Sequence, residues 1–536
     1  MRLSNIRQTI RQSIRQSTNF APLLAIAALS VAAHVHAAAT GPVKTADGLV
    51  VGTLSKDGKA DVYRGIPFAA PPVGELRWRE PQPVKLWTGT LHADDFGKSC
   101  MQILQRSRLP WAKEFMAQND DSEDCLTLNV FTPSGAAGKN LPVLFWIYGG
   151  GGVEGSAEVP VYDGTEVAKT GIVVVTINYR LGIFATMTYP ELTAESAHHS
   201  SGNYGTLDQI AALQWVQKNI AAFGGDPAKV TIDGQSAGAG AVHSLVTSPL
   251  AKGLFRGAIA ESGSTLTLAP RASLAAAEKA GKDFAEANGA HSLKELRAIP
   301  ADKLLAISQG IRIPAHMDPW ITPEDPIKIL AEGHENDVPF ITGIQANDYL
   351  NQYPKPLSAA DYKKIAAEIY GATSDAFLKL YPAGSDAEAA TSLAESNRDK
   401  AKANMYFWAV QRAKTEKSPT YTYYFTHALP DATHPEFGAF HTGEVPYTFR
   451  NLKIFDRPFT PVDTVVSDTI SGYWKNFVVS GNPNGTGLPK WTPASSGPPQ
   501  TQEIGDRTSQ VPLMPAEKFA YWKKYFDEQL AKVQVP

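Results

Sequence analysis

The sequence predicts an α/β fold in which helices flank a large, mostly parallel β-sheet. Short apolar runs, several of them rich in Val and Ile, alternate with helical patterns along most of the chain. This alternation is typical of parallel strands that are connected by helices. The 536 residues exceed the usual size of a domain, but the chain shows no internal repeat and no low-complexity tract. We therefore expect residues 38–536 to form a single large domain with insertions.

Six apolar runs are predicted as buried strands. They are residues 143–147, 172–177, 230–232, 258–260, 338–342 and 421–425. Between the second and third runs, apolar residues at 207, 210, 213, 216 and 220 recur at the spacing of an amphipathic helix. Two stretches rich in Ala, Lys and Glu, 272–310 and 358–415, are predicted as helical insertions, because a strand pattern resumes after each.

The first 37 residues have the features of a secretory signal peptide. Four arginines precede an apolar run at 21–33, and Val35, His36 and Ala37 have the small-x-small form of a cleavage site. A helix needs about 20 apolar residues to span a bilayer, and this apolar run is shorter. We therefore expect a secreted or periplasmic protein. The alternatives are a mitochondrial transit peptide, since the segment contains arginine and serine, and a membrane anchor, for which the apolar run is too short.

Removal of this segment makes the protein more acidic. The formal net charge of −3 becomes −7, because the segment carries four arginines and no acidic residue. An acidic, mixed-charge surface argues against nucleic acid or an anionic membrane as a partner.

The chain has only two cysteines, Cys100 and Cys125. In an exported protein such a pair is expected to form one disulfide, with two buried thiols as the alternative. Two lone cysteines lack the clustered spacing of a zinc site. We expect no metal and no cofactor.

A Gly-x-Ser-x-Gly pattern, formed by Gly234, Ser236 and Gly238, gives the strongest indication of chemistry. It directly follows the predicted strand at 230–232. In this pattern a sharp turn between a strand and a helix exposes the serine hydroxyl, and glycines are needed where side chains would collide. The pattern predicts a serine hydrolase with Ser236 as its nucleophile.

A run of four glycines, 149–152, follows the predicted strand at 143–147. Such a run lets backbone N–H groups point at a ligand. In a serine hydrolase these groups, together with the N–H of Ala237, would stabilise the oxyanion of the tetrahedral intermediate. A phosphate-binding loop is the alternative, but the Gly-Lys-Ser/Thr ending that it requires is missing.

The serine needs a base, and two histidines compete for this role. His441 lies in a short loop between Gly438 and Gly443, and His434 precedes it by seven residues. The residue pattern alone leaves the choice between them open. The acid that orients the histidine is expected between Ser and His in the chain. Asp348, which follows the strand at 338–342, is the candidate, and a turn or cap aspartate is the alternative for it.

With these motifs in this order, the sequence resembles the type-B carboxylesterases, the α/β-hydrolase family that includes cholinesterases and many bacterial and fungal esterases and lipases. The resemblance extends along nearly the whole chain after residue 37. The matching segments are 63–69, 71–78, 122–129, 146–151, 178–182, 202–209, 223–227, 234–238, 440–444 and 481–484.

The resemblance implies a role for each candidate residue. Ser236 matches the nucleophile, His441 the base, and Asp348 the position at which the family usually has glutamate. Further matches are the oxyanion donors Gly150, Gly151 and Ala237, the first disulfide between Cys100 and Cys125, and the ion pairs Arg77–Glu123 and Arg180–Asp208.

Three departures from the family pattern bear on the acid and on the substrate. Tyr349 replaces a glycine after the acid, Gln235 replaces the glutamate of cholinesterases, and Gly152 replaces an aromatic residue after the glycine run. The lost negative charge makes a cationic substrate less favoured, and the lost ring widens the pocket.

The expected function is hydrolysis of small-molecule carboxylic esters through an acyl-enzyme on Ser236, by a monomer or weak oligomer. Two alternatives are kept. One is a lipase that acts on longer-chain acylglycerols, and the other is a non-catalytic adhesion or binding module of the same family.

Overall fold

In the computed structural model, residues 41–263, 271–348 and 357–533 are described. All of them fall in one compact unit. The predicted signal peptide, 1–37, and Tyr349 lie outside the described residues.

An 11-stranded sheet forms the centre of the fold. Its strands, β1 to β11 in chain order, are Thr53–Leu54, Ala60–Pro67, Thr127–Pro133, Leu141–Ile147, Val173–Ile177, Gly225–Gln235, Gly257–Glu261, Phe340–Gln345, Thr420–Phe425, Gln500–Ile504 and Ser509–Pro512. They lie in the order β11-β10-β9-β8-β7-β6-β4-β5-β3-β2-β1. The strands from β10 to β5 are parallel, whereas β11 at one edge and β3, β2 and β1 at the other are antiparallel to their neighbours.

The six predicted strands are confirmed as β4 to β9. They occupy the centre of the sheet, where helices cover both faces, and every residue of β5 is buried. Burial on both faces explains their continuous apolar sequences. The outer strands were not predicted, because strands such as β10, with the sequence QTQEI, carry no apolar run.

Helices flank this sheet on both sides. The α-helices of the described residues, α1 to α15 in chain order, are Thr165–Ala168, Gly182–Thr186, Pro190–Glu195, Tyr204–Asn219, Ala237–Thr247, Leu274–Ala287, Leu293–Arg297, Ala301–Ile307, Pro326–Glu332, Ala359–Tyr370, Ser374–Leu380, Asp386–Thr415, Val445–Thr448, Pro461–Ser480 and Ala516–Val533. The predicted amphipathic helix is α4. The predicted helical insertions correspond to α6–α8 and α10–α12. Within the described ranges, no helix is long and apolar enough to cross a bilayer.

Shorter strands lie outside the central sheet. Val43–Lys44, Leu49–Val51 and Thr90–His92 form a three-stranded sheet, and Ser99–Cys100 pairs with Asp121–Ser122. The second pair lies at the two ends of the loop that the disulfide closes, since Cys100 and Cys125 are bonded to each other.

Both implied ion pairs are present. Arg77 Nε lies 2.6 Å from Glu123 Oε1, and Arg180 Nη2 lies 2.7 Å from Asp208 Oδ1. The second pair is almost fully buried, with 4% and 0% of the two side chains exposed. Each partner therefore depends on the other to offset the cost of burying its charge.

The topology brings the candidate residues to one edge of the sheet. Because β4, β6 and β8 are parallel, their carboxyl ends point in the same direction. The segments that follow these strands carry the glycine run, Ser236 and Asp348 respectively. In open α/β sheets, ligand sites form at this edge.

Candidate active site

Ser236 lies at a sharp turn between β6 and α5. Its backbone has φ 58° and ψ −119°, a conformation that L-residues rarely adopt. A Cβ at Gly238 would overlap the carbonyl oxygen of Ile147, and a Cβ at Gly234 would lie 2.6 Å from the carbonyl oxygen of Gly238. The two glycines of the motif are thus required by the close approach of β4, β6 and α5.

The structure brings Ser236, His441 and Asp348 into one chain of hydrogen bonds. His441 Nε2 lies 2.7 Å from Ser236 Oγ, and His441 Nδ1 lies 2.5 Å from Asp348 Oδ1. When Nδ1–H donates to the carboxylate, Nε2 is left to accept the serine proton. The aspartate therefore reaches the imidazole although it is one methylene shorter than the usual glutamate.

Two loops position Asp348 beside His441. The N–H of Asn347 donates to the carbonyl of Ala439, and the N–H of Ala439 donates to Asn347 Oδ1, both at 2.9 Å. Asn347 also forms an isolated parallel bridge with Phe440. The residue before the acid is thus paired with the residues before the histidine.

His434, the competing histidine, contacts other residues. Its Nδ1 is 3.0 Å from Glu436 Oε1, and its ring stacks on Phe437. Among the described residues, the histidine that hydrogen-bonds to Ser236 is His441.

The glycine run lies beside the serine. Gly150 and Gly151 line the same cleft as Ser236 and His441. Gly150 has φ 101°, and a Cβ there would overlap the carbonyl oxygen of Glu154. Ala237 begins α5, where backbone N–H groups have no acceptor within the helix. These three residues can therefore present N–H groups near the serine hydroxyl.

The pKa of His441 depends on burial and on nearby carboxyl groups, of which Asp348 has the larger effect. Burial alone would lower the pKa of His441, but the hydrogen-bonded carboxylate of Asp348 outweighs burial and raises the pKa above its usual value. Burial raises the pKa of Glu444 well above its usual range, and Glu261 raises it further. Burial therefore favours the neutral form of Glu444.

The cleft around Ser236 has a volume of about 280 Å³. The disulfide-closed loop contributes much of its wall, through Gln102, Gln105, Arg108, Trp111, Phe115, Met116 and Ala117. Sequence reasoning did not assign these residues to the site. The one sequence feature that pointed to these residues was an aromatic and apolar segment between the two cysteines.

Two of the departures from the family pattern also lie in this region. The side-chain nitrogen Nε2 of Gln235 is 3.3 Å from His441 Nε2, so a neutral amide lies beside the imidazole. A Cβ added at Gly152 would have no neighbour within 4 Å. The space that an aromatic side chain would fill is therefore open.

A possible metal-binding group lies outside this site. In the described part of the chain, the ligand atoms of Glu324, Glu332 and His334 come within 4.8 Å of one another. Lys328 already pairs with both carboxylates, at 2.8 Å and 3.9 Å. This surface group therefore has its own counter-charge.

Comparison with known proteins gives a consistent result. The profile of the carboxylesterase family matches residues 39–522. The chain is 35% identical to a fumonisin B1 esterase of Sphingopyxis macrogoltabida over 80% of both chains, and 33% identical to a human cocaine esterase over 92% of this chain and 93% of the relative. A solved PNB esterase superposes with a TM-score of 0.74 at 29% identity, covering 91% of this chain and 99% of its own.

The packing at the turn leads to a stability prediction. Gly238→Ala places a methyl group against the Ile147 carbonyl, and we expect the free energy of unfolding to fall by about 1–3 kcal/mol. Gly240→Ala is the matched control in the same helix, since a Cβ there meets nothing within 4 Å. It should be neutral or stabilise by up to about 1 kcal/mol. Denaturant unfolding measures both, and equal changes would contradict the packing argument.

Proposed function

The chain belongs to the carboxylesterase family and is a carboxylic-ester hydrolase, and we propose that it cleaves small-molecule esters through an acyl-enzyme on Ser236. The hydrogen-bonded chain from Ser236 through His441 to Asp348 carries this proposal. Relatives named for fumonisin B1 and for cocaine support an ester as the substrate.

In the first half of the reaction, Ser236 Oγ attacks the ester carbonyl carbon while His441 Nε2 takes the hydroxyl proton. The carbonyl oxygen becomes an oxyanion, which accepts hydrogen bonds from the N–H groups of Gly150, Gly151 and Ala237. His441 then gives its proton to the alkoxide oxygen as the ester C–O bond breaks. The alcohol leaves, and the acyl group stays on Ser236.

In the second half, water attacks the acyl carbon and gives a proton to His441. The second oxyanion collapses, the bond to Ser236 Oγ breaks, and the proton returns to that oxygen. Throughout both halves Asp348 accepts the Nδ1–H hydrogen bond, which holds the imidazole tautomer and stabilises the imidazolium.

Two observations favour this proposal over the alternatives. A binding module has no need for a serine, a histidine and an aspartate within hydrogen-bonding distance. A lipase lid would need a large contiguous apolar patch, whereas Ile103 and Leu109 are the exposed large apolar residues of the loop 100–125, and the residues between them in the chain, 105–108, are exposed and polar.

The nucleophile is tested directly by substitution. We expect Ser236→Ala to reduce kcat/KM for a simple aryl ester at least about 1,000-fold, because the covalent step is lost. A serine-directed phosphonate should label the wild-type protein at this residue and leave the variant unlabelled. Ser244→Ala, in the same helix with its hydroxyl bonded to the Gly240 carbonyl, is the matched control and should keep full activity. Larger residual activity in Ser236→Ala would contradict the assignment.

The acid is tested by the pH dependence of the reaction. Activity requires neutral His441 and is lost as the pH falls through the pKa of this residue. Since Asp348 raises this pKa, Asp348→Asn should move the acidic limb of kcat/KM to lower pH. It should also reduce kcat by about 10⁴-fold. Asp348→Glu keeps the charge and should keep the limb near its wild-type position. If the acidic limb of kcat/KM stays at its wild-type pH in Asp348→Asn, another group sets the pKa of His441.

We also propose that the enzyme is exported, on the basis of the basic and apolar segment 1–37. Expression of the full chain should give a periplasmic or extracellular protein whose mass lacks this segment. Leu24→Arg interrupts the apolar run and should retain the uncleaved protein in the cell. Wild-type protein that stays inside with its first residues intact would contradict export.

A further inference from the structure

The loop closed by the disulfide contacts both of the loops that carry the proposed machinery. We call residues 100–125 the disulfide loop, residues 149–155 the oxyanion loop and residues 438–444 the histidine loop. The disulfide loop lies far from the histidine loop in the chain, so the contact between them depends entirely on the tertiary fold.

The contact with the histidine loop is made by Trp111. Its indole N–H donates to Thr442 Oγ1 at 2.6 Å and to the carbonyl oxygen of His441 at 3.1 Å. The indole ring also meets the imidazole edge to face, with 6.4 Å between the ring centroids. The side chain of Trp111 thus contacts the backbone of the residue whose imidazole bonds to the serine.

This part of the histidine loop is under backbone strain. Thr442 has φ 78°, and its hydroxyl also bonds to the His441 carbonyl. A β-branched residue holds such a conformation only where its surroundings require it. Phe115, a second residue of the disulfide loop, packs against Phe440, with 5.8 Å between the ring centroids. The disulfide loop therefore contacts the histidine loop on both sides of His441.

The contact with the oxyanion loop is equally direct. The buried Gln102 side chain donates to the carbonyl of Gly155 and accepts from its N–H, both at 2.8 Å. Arg108 Nη2 lies 2.6 Å from Glu154 Oε1. The Arg108 guanidinium also lies 4.9 Å from the centre of the Trp111 ring. A continuous series of contacts joins the oxyanion loop to His441.

We propose that Trp111 is a positioning residue for His441, and that the disulfide loop sets the geometry of the histidine loop relative to the oxyanion loop. This inference rests on the proposed function. Trp111 acts through the backbone of residues 441 and 442 and through no reacting atom. The effect on rate should be large, because a shift of about 1 Å in a catalytic group can cost about 100-fold.

A second role for Trp111 gives different kinetics. Trp111 also lines the cleft, so its ring could act only as a wall for the substrate. A wall residue changes KM, and it does so differently for small and bulky acyl groups. A positioning residue lowers kcat for every ester by a similar factor and leaves KM nearly unchanged.

The test makes the substitution Trp111→Phe in the whole mature enzyme. This substitution keeps an aromatic ring and removes the N–H donor. Active sites are counted with the serine-directed phosphonate, and kcat per labelled site is measured with acetyl and hexanoyl aryl esters. We expect kcat to fall about 10- to 100-fold for both esters, with KM within about twofold of the wild-type value. Trp87→Phe is the matched control, because the Trp87 indole donates to the Leu49 carbonyl at 2.8 Å away from the site. It should leave kcat unchanged.

A second pair of variants tests the acceptor. Thr442→Val removes the hydroxyl that accepts from the indole and should lower kcat, whereas Thr442→Ser keeps the hydroxyl and should restore most of it. Adding Thr442→Val to Trp111→Phe should cost less than Thr442→Val alone, because the shared hydrogen bond is already lost. If Trp111→Phe does not fold, the single variants Thr442→Val and Thr442→Ser still test whether this hydrogen bond affects kcat.

Two results would overturn the proposal. A KM that rises with acyl size at unchanged kcat would make Trp111 a cleft wall only. Fewer labelled sites with normal kcat per site would make it a structural residue only. Failure of the proposed function is recognised separately, because wild-type enzyme would then remain unlabelled and Ser236→Ala would stay active.

Discussion

The close approach of β4 to the turn at Ser236 is the constraint on which the rest of the site depends. Ile147 lies opposite Gly234 in the sheet, and its carbonyl contacts the position that a side chain at 238 would need. A Cβ at Gly149 would lie 2.7 Å from the Gln235 carbonyl. The start of the glycine run and the serine turn are therefore in contact. This contact places the serine hydroxyl and the proposed oxyanion donors Gly150 and Gly151 in one cleft.

The proposed base and acid depend on a different kind of contact. They lie on loops after β8 and β9, which are neighbours in the sheet, and the pairing of Asn347 with Ala439 holds these loops together. This pairing brings Asp348 within reach of His441. The backbone position of Asp348 therefore makes up for a side chain that is one methylene shorter than that of glutamate.

The charges around the imidazole follow from burial. Burial raises the pKa values of Glu444, Glu261 and Asp233 well above the usual range, which disfavours their charged forms. Asp348 makes the direct hydrogen bond to His441. One close carboxylate can thus stabilise the imidazolium, while burial limits the negative charge on the other acids nearby.

The sequence by itself determined the parts of the structure that local sterics and burial control. The strands β4 to β9 are apolar because both faces are covered, and the serine turn needs glycines on either side. The outer strands carry no apolar run, so no local pattern predicted them. The residue pattern also left the choice between His434 and His441 open, although the family resemblance implied His441. Only the tertiary structure decided the contact of His441 with Ser236 and the contact of Trp111 with His441. Both contacts depend on which distant loops the strand order brings together, and a local residue pattern contains no information about segments so far apart in the chain.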